Sequence, residues 1–191
     1  MGIKIGFIVI QLQSEEYPSK SDKEGVTWLT VGLERASDRL NEYIEKNDVI
    51  HPDELEEKHL PDTDEPQVEK IDLQAKDDGY LSGKWIIQVK PEKIDDIWKI
   101  LDELVSNSLI WGAQVSTKRL RKKKDEDHHV LKVYTPNYFD ESDVLRVRRL
   151  LKEKCDIHEE IVYKPDIYNI LGIYSGEGDL IDLPEENRYI E

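Results

Sequence analysis

Short apolar runs alternate along the chain with segments of helical periodicity, and the apolar runs predict β-strands. They are rich in Ile, Val, Trp and Tyr, and polar or proline-containing stretches separate them. In chain order, the predicted strands are residues 3–12, 26–31, 85–89, 110–117, 129–135, 161–164 and 167–174. Residues 68–73 are a further candidate for an edge strand. The pattern therefore predicts about seven strands.

Three segments repeat apolar residues every three or four positions, which is typical of amphipathic helices. They are residues 33–46, 91–107 and 140–154. Pro91 suits the first turn of the second helix, and Asp140 is a candidate N-cap for the third. Strands in hairpin succession between helices indicate the α+β class. We expect a curved, mostly antiparallel sheet with the three helices on one face and the other face open.

The length and the cysteine content limit the organisation of the protein. The chain has 191 residues, so we expect residues 1–191 to form a single domain. Within it, residues 47–66 predict an acidic loop with one short helix, and residues 175–191 predict an acidic tail. The single Cys155 excludes a disulfide scaffold and indicates a reducing compartment. No apolar run is long enough to span a membrane, so we expect a cytoplasmic protein with no membrane partner.

Charge is distributed unevenly along the chain. The net charge is −15, from 42 acidic and 27 basic residues, which argues against binding nucleic acid through overall charge. Residues 51–79 hold eleven acids against three lysines. Residues 118–124 hold six basic side chains and no acid, within a predicted hairpin or loop at 118–127. A polyanionic ligand would therefore need this local basic segment.

Motifs for cofactor and metal chemistry are missing from the sequence. It contains no Walker A motif, no HExxH, no CxxC and no EF-hand spacing. His128 and His129 are adjacent, so along a strand they point to opposite faces and make a poor metal pair. We therefore expect no cofactor and no metal site.

An ordered set of motifs in the second half of the chain resembles the mRNA cap-binding translation initiation factor of the 4E type. The motifs are Gly83-Lys84-Trp85, Asp95-Asp96-Ile97-Trp98, Gly112-Ala113-Gln114-Val115, Val130-Leu131-Lys132-Val133-Tyr134-Thr135 and Arg146-Val147-Arg148-Arg149. Proteins of that family stack a methylated base between two tryptophans and hold its phosphates with arginine and lysine. The resemblance implies a similar fold, with phosphate contacts just after the Gly-Ala-x-Val strand.

A closer resemblance is to the uncharacterised family typified by the basophilic leukaemia-expressed protein. It rests on Gly83-Lys84-Trp85, on Ala113-x-Val115-Ser116-Thr117 and on the Val133-Tyr134-Thr135 strand before an acidic helix cap. That family is similar in fold to the cap-binding factor. Some of its members carry the name phosphothreonine lyase, which implies a second possible activity.

These observations predict a non-catalytic binding module for a phosphorylated ligand, which is a nucleotide, an RNA end or a single-stranded RNA. The open sheet face and the basic segment would form the site. The candidate phosphate contacts are Lys118, Arg119, Arg121 and Lys122. The candidate stacking residues are Trp28 and Tyr80. Trp85 and Trp98 lie on a strand and on an apolar helical stripe, so core packing is predicted for both.

The lyase resemblance gives the first alternative. Such enzymes use a lysine base and a histidine acid, and Lys84 matches the lysine of their motif. Ile86 stands at the histidine position and cannot donate a proton. His129, on a neighbouring strand, is the candidate replacement for that acid.

A protein-interaction domain is the second alternative. The acidic stretch at residues 53–78, or the acidic tail, would then meet a basic protein partner. In that case the basic segment at residues 118–124 is a solvated hairpin tip.

Overall fold

An antiparallel sheet organises the chain. The computed structural model describes residues 17–33, 36–60, 63–173 and 188–191, apart from the side chains of residues 36 and 37. Six strands follow the spatial order β1-β3-β4-β2-β5-β6. They are β1 (Trp28–Val31), β2 (Gly83–Val89), β3 (Gly112–Ser116), β4 (His129–Thr135), β5 (Val162–Pro165) and β6 (Tyr189–Ile190). The predicted strand at residues 3–12 lies outside the described residues, and so does residue 174.

Six helices connect or flank these strands. They are α1 (Ala36–Asn47), α2 (Pro66–Asp78), α3 (Pro91–Ser106), α4 (Lys118–Lys124), α5 (Glu141–Cys155) and α6 (Asp166–Ile170). Two 3₁₀ helices, Pro52–Glu54 and Glu57–His59, precede α2. The α+β class and the antiparallel sheet are confirmed, but the described part of the chain has six strands and more than the three predicted helices.

The main core lies between one face of the sheet and three helices. Alternation along β2 turns Trp85, Ile87 and Val89 to this face, and all three are buried. Helices α2, α3 and α5 contribute apolar side chains to the same cluster. Trp85 also donates a hydrogen bond from its indole Nε1 to the Val144 carbonyl of α5, at 3.1 Å. The core role predicted for Trp85 is confirmed, and Trp98 packs against the same cluster.

Helix α1 contributes to a second, smaller apolar cluster. Its buried Leu40, Tyr43 and Ile44 form a second cluster with Trp111 and Tyr134. Tyr134 follows the core residue Val133, so its side chain lies on the opposite face of the sheet. Helix α1 also lies against two helices of the main core, because the Tyr43 hydroxyl donates to Asp143 of α5 at 2.7 Å and Arg39 donates to the Val105 carbonyl of α3 at 2.7 Å.

Residues 68–73 are helical, not the predicted edge strand. They belong to α2, which begins at Pro66 and ends at Asp78, with Gly79 as its C-cap in the left-handed region. Val68, Ile71 and Ala75 are buried at helical spacing, because this side of α2 meets the core. Pro66, a residue type that often interrupts secondary structure, is here the first residue of a helix.

The basic segment is also helical, not a hairpin tip. Thr117 caps α4 by accepting a hydrogen bond at its Oγ1 from the amide of Leu120, at 3.3 Å. Asp125 ends the helix in the left-handed region. Within the predicted strand at 167–174, residues up to Ile170 belong to α6. The helices predicted at 91–107 and 140–154 match α3 and α5 closely.

We predict that Gly83→Ala destabilises the fold by about 1–3 kcal/mol through overpacking. A methyl group at Gly83 would approach two ring carbons of Tyr163 to 2.7 Å. That ring is fully buried and its hydroxyl shares a hydrogen bond with Thr135, so it has little room to move. Urea denaturation measures the loss. Gly79→Ala is the comparison without a packing clash, because its added methyl would meet no atom within 4 Å and any loss there comes from the left-handed backbone of Gly79. Unchanged stability of Gly83→Ala would contradict the packing.

Candidate functional site

The sheet face opposite the main core carries the candidate site, which we call the second face. The pairing register aligns one row of side chains across all six strands. The row is Thr30, Gln114, Lys132, Ile86, Val162 and Ile190. A second aligned row holds Tyr134, Lys84 and Lys164. Trp28 stands on the same face beside Ser116, two residues from Thr30.

The described strands of this acidic protein carry basic side chains and no acidic ones. Although the chain has 42 acidic residues, the six strands that the structure describes contain no aspartate or glutamate. They contain three lysines, Lys84, Lys132 and Lys164, and the register places all three on the second face. In a chain of net charge −15, the charged side chains of the described strands are thus all basic and all on the second face, where Lys84 and Lys164 are buried and Lys132 is partly exposed.

The Lys84 side chain is held by an ion pair with the first residue of α6. Lys84 is 1% exposed and its Nζ contacts a carboxylate oxygen of Asp166. The other oxygen of Asp166 accepts a hydrogen bond from the Ser82 hydroxyl. The backbone amide of Asp166 donates to the Ser82 carbonyl at 2.8 Å, which fixes the start of α6 against β2. This arrangement satisfies a charge that would be costly to bury alone.

Lys132 lies over the indole ring of Trp28. Its Nζ is 4.1 Å from the ring centroid, which is a cation–π distance. Burial, together with the positive charges of Lys84 and Lys124, lowers the pKa of Lys132 to about 8 against the opposing effect of Asp166. Trp28 and Lys132 are both only partly buried. The pair thus presents an aromatic ring and a crowded positive charge together.

Buried polar side chains next to this pair form hydrogen bonds between the neighbouring strands. The Tyr134 hydroxyl donates to Gln114 Oε1 at 2.8 Å, and Gln114 Nε2 donates to the Thr30 hydroxyl at 3.3 Å. Gln114 and Thr30 precede Lys132 in its row, so these bonds tie β1, β3 and β4 together beside it.

Helix α4 places the predicted basic residues next to the start of β1. The amides of Lys118 and Arg119 donate to the carbonyls of Pro18 and Ser21, and Lys122 pairs with Asp22 at 3.1 Å. The ion pair with Lys122 is the largest cause that lowers the pKa of Asp22. Arg121 donates from Nη1 to the Glu126 carbonyl at 3.2 Å, which stabilises the end of α4.

The remaining aromatic candidates do not join Trp28. Tyr80 follows α2 and packs against the main core cluster, so the structure separates it from the second face. Trp111 is 1% exposed and belongs to the second cluster. Of the two predicted stacking residues, the structure brings only Trp28 to the lysines of the second face.

His129 is too far from Lys84 to serve as the general acid that the lyase alternative requires. The register pairs Lys84 with Tyr134 and Val89 with His129, which separates the two side chains by roughly 17 Å along the strands. His129 also shares the core face with Leu131 and Val133. Burial lowers its pKa, and its Nδ1 bonds to the Ser116 carbonyl at 2.6 Å. A proton relay between His129 and Lys84 is excluded by this geometry.

The acidic segment after α1 surrounds a pocket of its own. An open pocket of about 650 Å³ is lined by Asp48, Val49, Ile50, Asp53, Glu54, Leu55, Glu56 and His59. The segment is anchored beyond the end of β4, where the amide of Ile50 donates to Asp140 at 2.8 Å. The predicted acidic loop at 47–66 thus contains two 3₁₀ helices rather than one short helix.

Other chemistry finds little support in the described part of the chain. No group of three or more His, Cys, Asp or Glu side chains there is arranged to hold a metal ion. Burial raises the pKa of the Cys155 thiol to about 11, which leaves it protonated and unreactive. None of the described helices is long and apolar enough to cross a membrane.

Sequence reasoning missed Lys132, the residue that contacts Trp28. A usable signal was present, since Lys132 alternates with the core residues Leu131 and Val133 along one strand. The same alternation marks Lys84 between Gly83 and Trp85. What the sequence does not supply is the register that aligns these lysines on one face.

A family model described as basophilic leukemia-expressed protein Bles03 matches residues 2–172. The chain belongs to the Bles03 family. This confirms the closer of the two resemblances found in the sequence. The match covers the whole of β1 to β5 and includes both Trp28 and Lys132 of the second face.

Several solved structures are similar to this Bles03-family chain at low identity. A schistosome eIF4E complexed with m7GpppG and 4E-BP is 18% identical, with 80% of each chain covered and a TM-score of 0.43. Ascaris suum eIF4E-3 with an m2,2,7G cap is 18% identical over 59% of this chain and 58% of that one, with a TM-score of 0.40.

A further structure, of C. elegans eIF4E-3 with the 4E-binding protein Mextli and a cap analog, is 20% identical with a TM-score of 0.40. The match covers 48% of this chain and 54% of that one. The Bles03-family chain thus spans little more than half the length of the two nematode proteins.

Proposed function

We propose that the protein is a non-catalytic module that binds a phosphorylated ligand with a planar ring, such as a nucleotide or an RNA end. The observation that carries the proposal is the Lys132 ammonium 4.1 Å above the Trp28 ring on the second face. An aromatic ring gives a base a surface for stacking, and a neighbouring cation gives its phosphate a partner.

The charges of the second face favour an anionic ligand. Burial, followed by the charges of Lys84 and Lys124, lowers the pKa of Lys132, so an ammonium group there carries an unfavourable energy in the free protein. A bound phosphate would relieve this cost by adding negative charge beside Lys132. The strands themselves supply no carboxylate to do so.

Each residue has a distinct role in this proposal. Trp28 stacks the base, and Lys132 contacts the nearest phosphate. Lys118, Arg119 and Lys122 of α4 contact phosphates further from the ring. Arg121 positions α4 through its bond to the Glu126 carbonyl. Lys84 stays with Asp166 and adds to the positive potential of the face.

We predict that the double variant Lys118→Ala/Arg119→Ala binds GTP about tenfold more weakly than the wild type, because charge-assisted bonds to phosphate are lost. Trp28→Leu should remove most of the ligand-induced quenching of tryptophan fluorescence. The measurement is a fluorescence titration at two salt concentrations, and higher salt should weaken binding.

The matched control is Lys70→Ala/Lys76→Ala, which removes the same charge from α2, on the other side of the sheet. It should leave the affinity within twofold of the wild type. Absence of GTP binding to the wild type by both fluorescence and thermal shift would refute the proposed function. Equal weakening in both double variants would show a nonspecific charge effect.

A further inference from the structure

In the free protein, the positive charge of Lys132 already lies over the ring of Trp28. Lys132 occupies the electron-rich face of the ring, at a distance typical of a cation–π contact. A ligand ring that stacks on Trp28 must therefore displace this ammonium group or use the opposite face of the ring, and both positions lie close to the Lys132 charge. The charge of the ligand ring then determines whether its interaction with the Lys132 ammonium is attractive or repulsive.

The oxygen atoms on this face that could bind a second cation already accept an ion pair or a hydrogen bond from the protein. Asp166 binds both Lys84 and the Ser82 hydroxyl. Gln114 Oε1 accepts the Tyr134 hydroxyl. The strands of the described chain add no aspartate or glutamate to this face. On the described strands, a positively charged base at Trp28 would thus lie beside Lys132 and find no carboxylate.

We infer that the second face selects a nucleotide whose base is uncharged, and discriminates against a base that carries a positive charge, such as one methylated at N7. This inference rests on the proposed function and names its ligand class. Lys132 acts as the determinant of this specificity, since its ammonium group repels a cationic ring and attracts the phosphate of either ligand. The lowered pKa of Lys132 is consistent with surroundings that destabilise positive charge.

The test compares GTP with 7-methyl-GTP, which have the same phosphates and differ by the methyl group and its charge on the ring. Titrations at about pH 6.5 keep Lys132 protonated, because its pKa is about 8. The wild type should bind GTP roughly tenfold more tightly than 7-methyl-GTP, because one unfavourable charge pair is avoided. Equal or tighter binding of 7-methyl-GTP overturns the inference.

Variants at Lys132 identify the cause. In Lys132→Gln the ratio of the two affinities should fall to about one or below, because the repelling charge is gone. Lys132→Arg keeps the charge and should keep the preference for GTP, and it serves as the readout where the glutamine variant folds poorly. Lys70→Gln on α2 is the charge-matched control and should leave the ratio unchanged.

The outcomes separate this inference from the proposed function. Binding of both nucleotides without a preference for GTP leaves the binding module standing and removes the selectivity. A preference for GTP that survives in Lys132→Gln assigns the selectivity to another feature and overturns the role of Lys132. Failure of both nucleotides to bind removes the function and the inference together.

Discussion

Replacing Asp166 with alanine should lower the free energy of unfolding by about 3 kcal/mol, because it leaves the buried Lys84 ammonium without its counter-ion. Lys84 is 1% exposed, while the Asp166 side chain is 16% exposed. Lys164, which the register pairs with Lys84, is of the same sign and would make the unpaired state worse. Urea denaturation followed by circular dichroism measures the loss.

Two further variants distinguish the ion pair from a general effect of removing an aspartate. Asp96→Ala removes an exposed carboxylate from α3 and should change stability by no more than about 0.5 kcal/mol. Lys84→Met combined with Asp166→Ala removes both charges, so the double variant should be about 2 kcal/mol more stable than the sum of the single losses predicts. A loss below about 1 kcal/mol in Asp166→Ala would contradict a buried pair of this kind.

The helices that pack on the core were predictable where periodicity was strong. Helix α3 follows from Ile94, Ile97 and Leu101 at helical spacing after Pro91. Helix α2 was mistaken for a strand, because Val68 and Ile71 lie within a short, highly charged stretch and its buried stripe is narrow. Helix α4 was missed because six of its seven residues are basic and none is buried, so no apolar periodicity reveals it.

The candidate site was predictable only in part, since a sheet brings together residues that are far apart in the chain. Trp28 was assigned a stacking role from sequence, but its contact with Lys132 depends on β1 and β4 both pairing with β3. Lys84 and Lys132 are neighbours through the β2–β4 register. Register follows from the burial of one whole face, which is a property of the folded sheet rather than of any single strand.

The affinity for ATP should fall as the pH rises above about 8, by up to tenfold per pH unit, because Lys132 loses its proton there in the free protein. A bound phosphate raises the pKa of Lys132, so binding above about pH 8 takes up a proton. ATP suits this measurement, since its base and phosphates keep their charge from about pH 7.5 to about pH 9.5. Titration calorimetry in buffers of different ionisation enthalpy counts the proton directly.

The charged groups around Lys132 do not blur this signal. Burial, then Lys84 and Lys124, lower its pKa, and Asp166 opposes them. Lys132→Arg should bind ATP with an affinity that is flat across the same pH range, because a guanidinium group stays charged. The free protein offers a second readout with a fixed sign. Since the unfolded chain binds the extra proton between about pH 8 and about pH 10.5, the contribution of Lys132 to stability rises with pH in that window. A wild-type affinity as flat as that of Lys132→Arg would remove Lys132 from the phosphate site.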